Sequence, residues 1–320
     1  MAGARYFGRK YRLILGKPGG GKLVDVEVEE GRPAMDIKFD VTYARGQTAR
    51  EGTLSILGLG WSTIHSVLKL AGMTRGKAMS QLVTVKLEAG YFTDAGMCQI
   101  FDGFAWYATV TAPPTMWLNI KVSEYNPLGG TTVTIPSAGP MSMKAMVEYV
   151  VNRFSGEKGE GVSFTVEDKT EDLILENSKK KVSTPTFPKT VSLSEAIKIL
   201  SETCSPEIEF IMKTDRNNSN CRQIIAIDKE NKKSTKGEVV VNGNRGLLSV
   251  TGIDAINGCI TTFIDGGVTD DLSHLNLTSV LNPQANGRYY ITKKQFVGHY
   301  MGQEWYTRYF CSAREGDGEK

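Results

Sequence analysis

Histidine and cysteine are scarce in this chain, and it has no long apolar run. Its three histidines, His65, His274 and His299, are scattered, and no H-E-x-x-H, G-x-S-x-G or spaced metal-ligand cluster occurs. A zinc hydrolase or serine esterase therefore has no motif to stand on. The five cysteines (Cys98, Cys204, Cys221, Cys259, Cys311) are far apart, odd in number and without a C-x-x-C pair. That fits neither a disulfide framework nor a zinc site and leaves buried, reduced thiols. No segment approaches the roughly 18 apolar residues of a membrane span. The opening MAGARYFGRKYRLILG has no apolar core of signal-peptide length. Charge of one sign is missing as well: 38 Lys+Arg against 35 Asp+Glu leave +3, too balanced for a strongly electrostatic nucleic-acid binder. The expectation is a protein made in the cytoplasm without a signal peptide or membrane insertion, holding no cofactor or metal and carrying no catalytic residues.

One stretch argues the other way. In LILGKPGGGKLVDVEV, residues 13–28, four residues separate Gly16 from Gly21-Lys22, the spacing of a phosphate-binding loop. Such a loop needs a Ser or Thr after the lysine for Mg²⁺ and a helix starting at once. Leu23 occupies that position, and Val24, Val26 and Val28 alternate with Leu23, Asp25, Glu27 and Glu29. A period of two is a strand. KPGGGK is read as the turn of a hairpin.

The chain changes texture twice. Residues 1–125 are strand-rich: MDIKFDVTY (35–43) alternates Met35, Ile37, Phe39, Val41 and Tyr43 with polar partners, and TLSILGL, QLVTVKLEAGY, MCQIFDGFAWYATVT and MWLNIKVSEY follow. Between them, WSTIHSVLKLAGM spaces Ile64, Val67, Leu68 and Ala71 helically, with Ser62 or Thr63 as the expected N-cap and Gly72 as the stop. This is the inventory of a small barrel or sandwich. Residues 126–235 hold two helix-then-strand units. One helix has Met143, Met146, Val147, Val150, Val151 and Phe154 on one face; the other opens on the capping-box pair Ser192 and Glu195. Strands return over 236–320, with an Asn-Gly turn directly before GRYYITKKQFVGHY. The fold class is mainly β with an α+β part, in the order β, α/β, β.

Aromatic residues are concentrated in strands. In FAWYA and EWYTRYF only alternate rings can face a core. Trp106 and Trp305 are therefore candidates either for burial against another subunit or for a sugar-binding platform.

With these segments in place, the chain resembles the central baseplate hub proteins of tailed phages, most closely those of contractile tails. The resemblance rests on a strand ending Ala89-Gly90-Tyr91, a short loop, then Ile100-Phe101 and Gly103 in the next strand. It rests also on the opening strands, the middle helix SLSEAIKILSET, and the closing NGRYYI…His299…GQEWYT run. It implies two tube-like β-barrel domains, 1–125 and 236–320, flanking a small α/β middle region, 126–235. It further implies a homotrimeric ring that adapts a sixfold tail tube to a threefold spike in the virion baseplate, beside other baseplate proteins. DNA would pass through its lumen only as cargo. On this reading the loop carrying Arg45, Gln47 and Arg50 is a candidate contact with tube or spike, and the role is structural rather than enzymatic. Three alternatives stay open: a tube-end or distal-tail ring, a carbohydrate- or receptor-binding β module, and a hydrolase with a dispersed site.

Overall fold

The computed structural model describes residues 8–44, 49–71, 82–93, 96–124, 132–155, 163–168, 174–177, 181–204, 208–214, 221–228, 239–254, 257–264 and 274–312. The first β-rich region supplies β1 (Arg9–Gly16), β2 (Lys22–Glu27), β3 (Asp36–Ala44), β4 (Glu51–Leu57), α1 (Trp61–Ala71), β5 (Val83–Tyr91), β6 (Met97–Val110) and β7 (Trp117–Ser123). The middle region supplies β8 (Met141–Ser142), α2 (Met143–Asn152), β9 (Ser163–Asp168), α3 (Ile174–Asn177), β10 (Lys181–Val182), α4 (Leu193–Cys204), β11 (Ile208–Thr214) and β12 (Cys221–Asp228). The last region supplies β13 (Val239–Asn242), β14 (Leu247–Asp254), β15 (Asn257–Phe263), β16 (His274–Thr278), β17 (Gly287–His299) and β18 (Trp305–Ser312).

The glycine-rich stretch is a hairpin turn. Gly19, Gly20 and Gly21 all take positive φ, and the turn bonds to itself through Lys17 N–H to the Gly21 carbonyl at 2.9 Å. Lys22 pairs with Asp25 on the same strand. With the Lys17 and Gly20 N–H groups bonded within the turn and a strand following, the segment lacks the helix start of a phosphate loop.

Strand periodicity decides the main sheet. Ile37, Phe39, Val41 and Tyr43 of β3 are buried while Lys38 and Asp40 are exposed, as a half-buried strand requires. The sheet has 13 strands and runs β14-β15-β18-β17-β3-β4-β7-β6-β5-β1-β2, with β16 on β17 and β13 on β16. The first and last β-rich regions therefore share one sheet. Their joint is β17. Its first half, residues 287–290, pairs with β16; its second half, residues 293–299, pairs antiparallel with β3 from Lys293↔Ala44 to His299↔Lys38. A register shift between Ile291 and Lys293 on the β18 side marks the change of partner. Both parts of the sheet curl around cores, yet among the described residues no strand pair closes either into a hydrogen-bonded barrel.

Three cores follow. The largest lies inside the first lobe, under α1, and takes in Phe296 and Trp305 from the last lobe. A second gathers α2, α4 and the three-stranded sheet β11-β12-β9, with Phe104 and Leu82 reaching in from the first lobe. A third fills the last lobe around Val241, Ile260, Leu277 and Tyr309, and Tyr43 of β3 enters it. The helix ends match their sequence in part. Ser192 and Glu195 bond reciprocally at the start of α4. For α1 the expected Ser62 or Thr63 cap is displaced: the helix begins at Trp61, and the Gly60 carbonyl accepts from the Thr63 and Ile64 N–H groups. The expected stop, Gly72, lies outside the described residues.

Candidate assembly surfaces

The turn between β17 and β18 is where distant parts of the chain meet. Asp36, at the start of β3, accepts from the His299 imidazole (Nε2–Oδ2, 3.0 Å) and from the Met301 N–H (3.1 Å). Arg9, at the start of β1, donates to the carbonyls of His299, Tyr300, Gly302 and Gln303 and lies over the Trp305 ring at 5.6 Å. The Trp305 indole N–H in turn reaches the Gly90 carbonyl at 3.2 Å, and its ring packs edge-on against Phe39. Gly298 makes this possible, because a Cβ there would collide with the Phe39 ring. Tyr11 closes the cluster from β1: its hydroxyl donates to the Met35 carbonyl at 2.6 Å. Burial first, then the neighbouring Tyr300 and Asp36, push its phenol well above the ordinary tyrosine range.

The second surface is the solvent face of the sheet. Strand pairing sets three rows across it. One runs Tyr107–Lys121–Thr53–Asp40–Val297–Tyr306, and another Thr109–Asn119–Ser55–Lys38–His299. The third runs Glu51–Thr42–Gln295–Arg308–Thr261–Ser249. These rows alternate with the buried positions and cross from the first lobe to the last without a break. Ser, Thr, Asn and Gln take eight of these 17 positions, and charged and aromatic residues take most of the rest. A register shift at Ala105/Tyr107 in β6 adds a bulge at Trp106. It carries the exposed Tyr107 onto this face beside the half-buried Trp106.

The residues selected from the sequence fall in different places. Arg45 and Gln47 lie outside the described residues. Arg50 and Trp305 are only 4% and 3% exposed. Arg50 is drawn inside by Glu124 (Nε–Oε1, 3.6 Å) and by the Ile100 carbonyl, to which its Nη1 donates at 3.3 Å; Trp305 is drawn in by the cluster above. Of those among the described residues, Trp106 stands at the surface, with the Lys121 ammonium 5.5 Å from its ring. Sequence reasoning did not single out Lys38, Lys121, Lys293 or Arg308, which only the cross-strand register collects on one face. It also passed over Val280 and Leu281. These are 89% and 98% exposed on a loop fixed by Ser279, Asn282 and Asn286. Among the described residues no group of three His, Cys, Asp or Glu side chains can hold a metal, and no helix is long and apolar enough to cross a membrane.

A curled sheet shared by two lobes, with an α/β insert between them, is a fold also found in tail proteins of the phage type. The structure is similar in fold to a tail protein from Neisseria meningitidis MC58, at 7% identity and TM-score 0.58, over 97% of this chain and 98% of that one. It is similar also to the 43 kDa tail protein of prophage MuSo2 from Shewanella oneidensis (8% identity, TM-score 0.55, 94% and 96% covered). A third likeness is to the E. coli c3393 protein, a component of the type VI secretion system (7% identity, TM-score 0.51, 90% and 76% covered). No curated protein matches the sequence. The family model described as baseplate hub gp41 matches residues 23–311, and the chain belongs to that family. Its members are structural proteins of the phage tail baseplate.

Proposed function

We propose that the chain assembles as a homotrimeric hub ring in the virion baseplate, docking on the tail tube at one end and on a central spike at the other, with a channel for DNA. The carrying observation is the β3·β17 pairing, which fixes two β lobes of one chain side by side in a single sheet. Two such lobes in each of three chains give six positions for a sixfold tube, while the chain itself repeats three times for a threefold spike. The first lobe spans residues 1–125 and the last 236–320, with 126–235 as the insert. The lobes act as tube-like barrels completed between neighbours: β2, β13 and β14 end the sheet with edges that another subunit's strand can extend. The uninterrupted polar face forms the channel wall. Trp106 and Tyr107 lie where that face meets a partner, and the loop bearing Arg45 and Gln47 contributes beside the buried Arg50.

Light scattering over a concentration range tests the ring. A stable trimer of the 35.1 kDa chain is expected. A hexamer would instead indicate a tube-end ring. A monomer at high concentration would overturn self-assembly, and glycan binding lost in Trp106→Ala would then support the sugar-binding module.

A further inference from the structure

Across β3, β4, β7, the second half of β17 and β18, the solvent face of the sheet carries four cations among its described residues, Lys38, Lys121, Lys293 and Arg308, and each lies over an aromatic ring. Lys38 sits 4.4 Å from the Trp117 ring, and Lys121 sits 5.5 Å from Trp106 and 5.8 Å from Tyr107. Lys293 sits 5.0 Å from Phe310, and Arg308 sits 4.8 Å from Tyr306. The polar groups between them are engaged sideways too. Ser55 donates to Asn119 Oδ1 at 2.6 Å, and Gln295 donates to Asp40 Oδ1 at 2.8 Å. The Ser55 hydroxyl, the Gln295 amide and the four cations therefore lie along the sheet and engage groups of the same face.

We infer that this face is a low-adhesion surface toward duplex DNA, its cations held flat by the rings so that they do not reach phosphate. Grip on a duplex comes from cations that close on phosphates and release counterions, which makes binding strong and steeply salt-dependent. A lysine at full extension projects an ammonium well beyond its strand; one lying on a ring keeps its charge but gives up that reach. Lifting it to a phosphate costs its stack, and removing the ring removes that cost. The purpose assigned here rests on the channel reading, under which DNA must slide past the face without being held.

The test uses the full chain and a fluorescein-labelled duplex of about 20 base pairs, followed by anisotropy between about 50 and 200 mM salt. The variants are Tyr306→Leu alone, which takes away the one ring under Arg308, and Tyr306→Leu with Tyr107→Leu and Phe310→Leu; all keep apolar bulk. Tyr306 is half-buried at the sheet surface, so its single variant leaves the fold intact even where the triple variant does not. Weak wild-type binding is expected. Tightening of roughly threefold is expected for each freed cation, tenfold or more for the triple variant, with a steeper salt slope. Adding Lys293→Gln and Arg308→Gln should return the triple variant most of the way to wild-type binding. Tight, steeply salt-dependent wild-type binding overturns the inference, as does a single or triple variant that binds no tighter than wild type. Electron microscopy of the assembled ring separates the two readings. A face on the outer rim removes the channel reading and the purpose assigned here, whereas anisotropy alone decides whether the rings restrain the cations.

Discussion

Trp305 ties the last lobe to the first. It fills core space contributed by the first lobe, donates to the Gly90 carbonyl and supports the Arg9 guanidinium. Replacing it with alanine should lower stability by about 3–5 kcal/mol, read from the urea midpoint at unchanged slope. The Arg50–Glu124 pair has a different expectation. Truncating one member leaves a charge stranded in the interior and should cost about 3–5 kcal/mol, whereas replacing both with apolar residues of similar volume should cost far less. A double-mutant cycle of Arg50→Met and Glu124→Leu measures the difference. Alkaline pH supplies a further residue-scale prediction. Burial, reinforced by Cys259, pushes the Cys311 thiol up to about 12, and burial with Tyr300 and Asp36 nearby also raises Tyr11 above its normal value. In the unfolded chain both ionise nearer their ordinary values, so stability is intact below about pH 8.5 and falls as pH rises toward those folded-state values. The melting temperature should therefore drop through the alkaline range, and Cys311→Ala and Tyr11→Phe should flatten that drop.

Elements form where local chemistry agrees with the period of the hydrophobic pattern. At the start of α4 the Ser192 and Glu195 side chains satisfy each other's backbone donors, and Ser192→Ala should cost about 0.5–2 kcal/mol, measured by urea unfolding. That cap was legible because a capping box is contained within four residues. So were the β1–β2 hairpin, the core face of β3 and the buried face of α2, each set by side chains adjacent in sequence. The start of α1 was not, because a backbone carbonyl at Gly60 does the work that Ser62 or Thr63 was expected to do, and a carbonyl leaves no mark in sequence. The bulge at Trp106 was not legible either. FAWYA reads as simple alternation until the β7 partner requires an extra residue, which lets neighbouring rings share the surface.

At the scale of the whole molecule, the order β, α/β, β was legible and the joint between lobes was not. Strand pairing between Asp40 and Val297 joins residues more than 250 positions apart, and neither sequence carries a local signal of its partner. The same separation hid the collection of Lys38, Lys121, Lys293 and Arg308 on one face. It also explains why Trp305 was expected at a contact: EWYTRYF shows that alternate rings face a core, but not that the core belongs to the first lobe. A physical consequence follows from that sharing. The first-lobe core lacks Phe296 and Trp305 when the last region is absent, and β3 then loses the strand that covers its outer backbone groups. A fragment of residues 1–125 should consequently expose apolar surface and an unpaired edge. It should bind a hydrophobic dye and melt without a sharp transition, while the full chain melts with both β lobes in one cooperative step. Co-expression with a fragment covering residues 236–320 should restore the sharp transition. Arg9→Ala in the full chain should weaken the coupling without abolishing it, because the β3·β17 ladder remains. A first fragment that melts cooperatively alone, at the temperature of the full chain, would show the lobes to be independent and would remove the basis for treating them as one rigid pair within a ring.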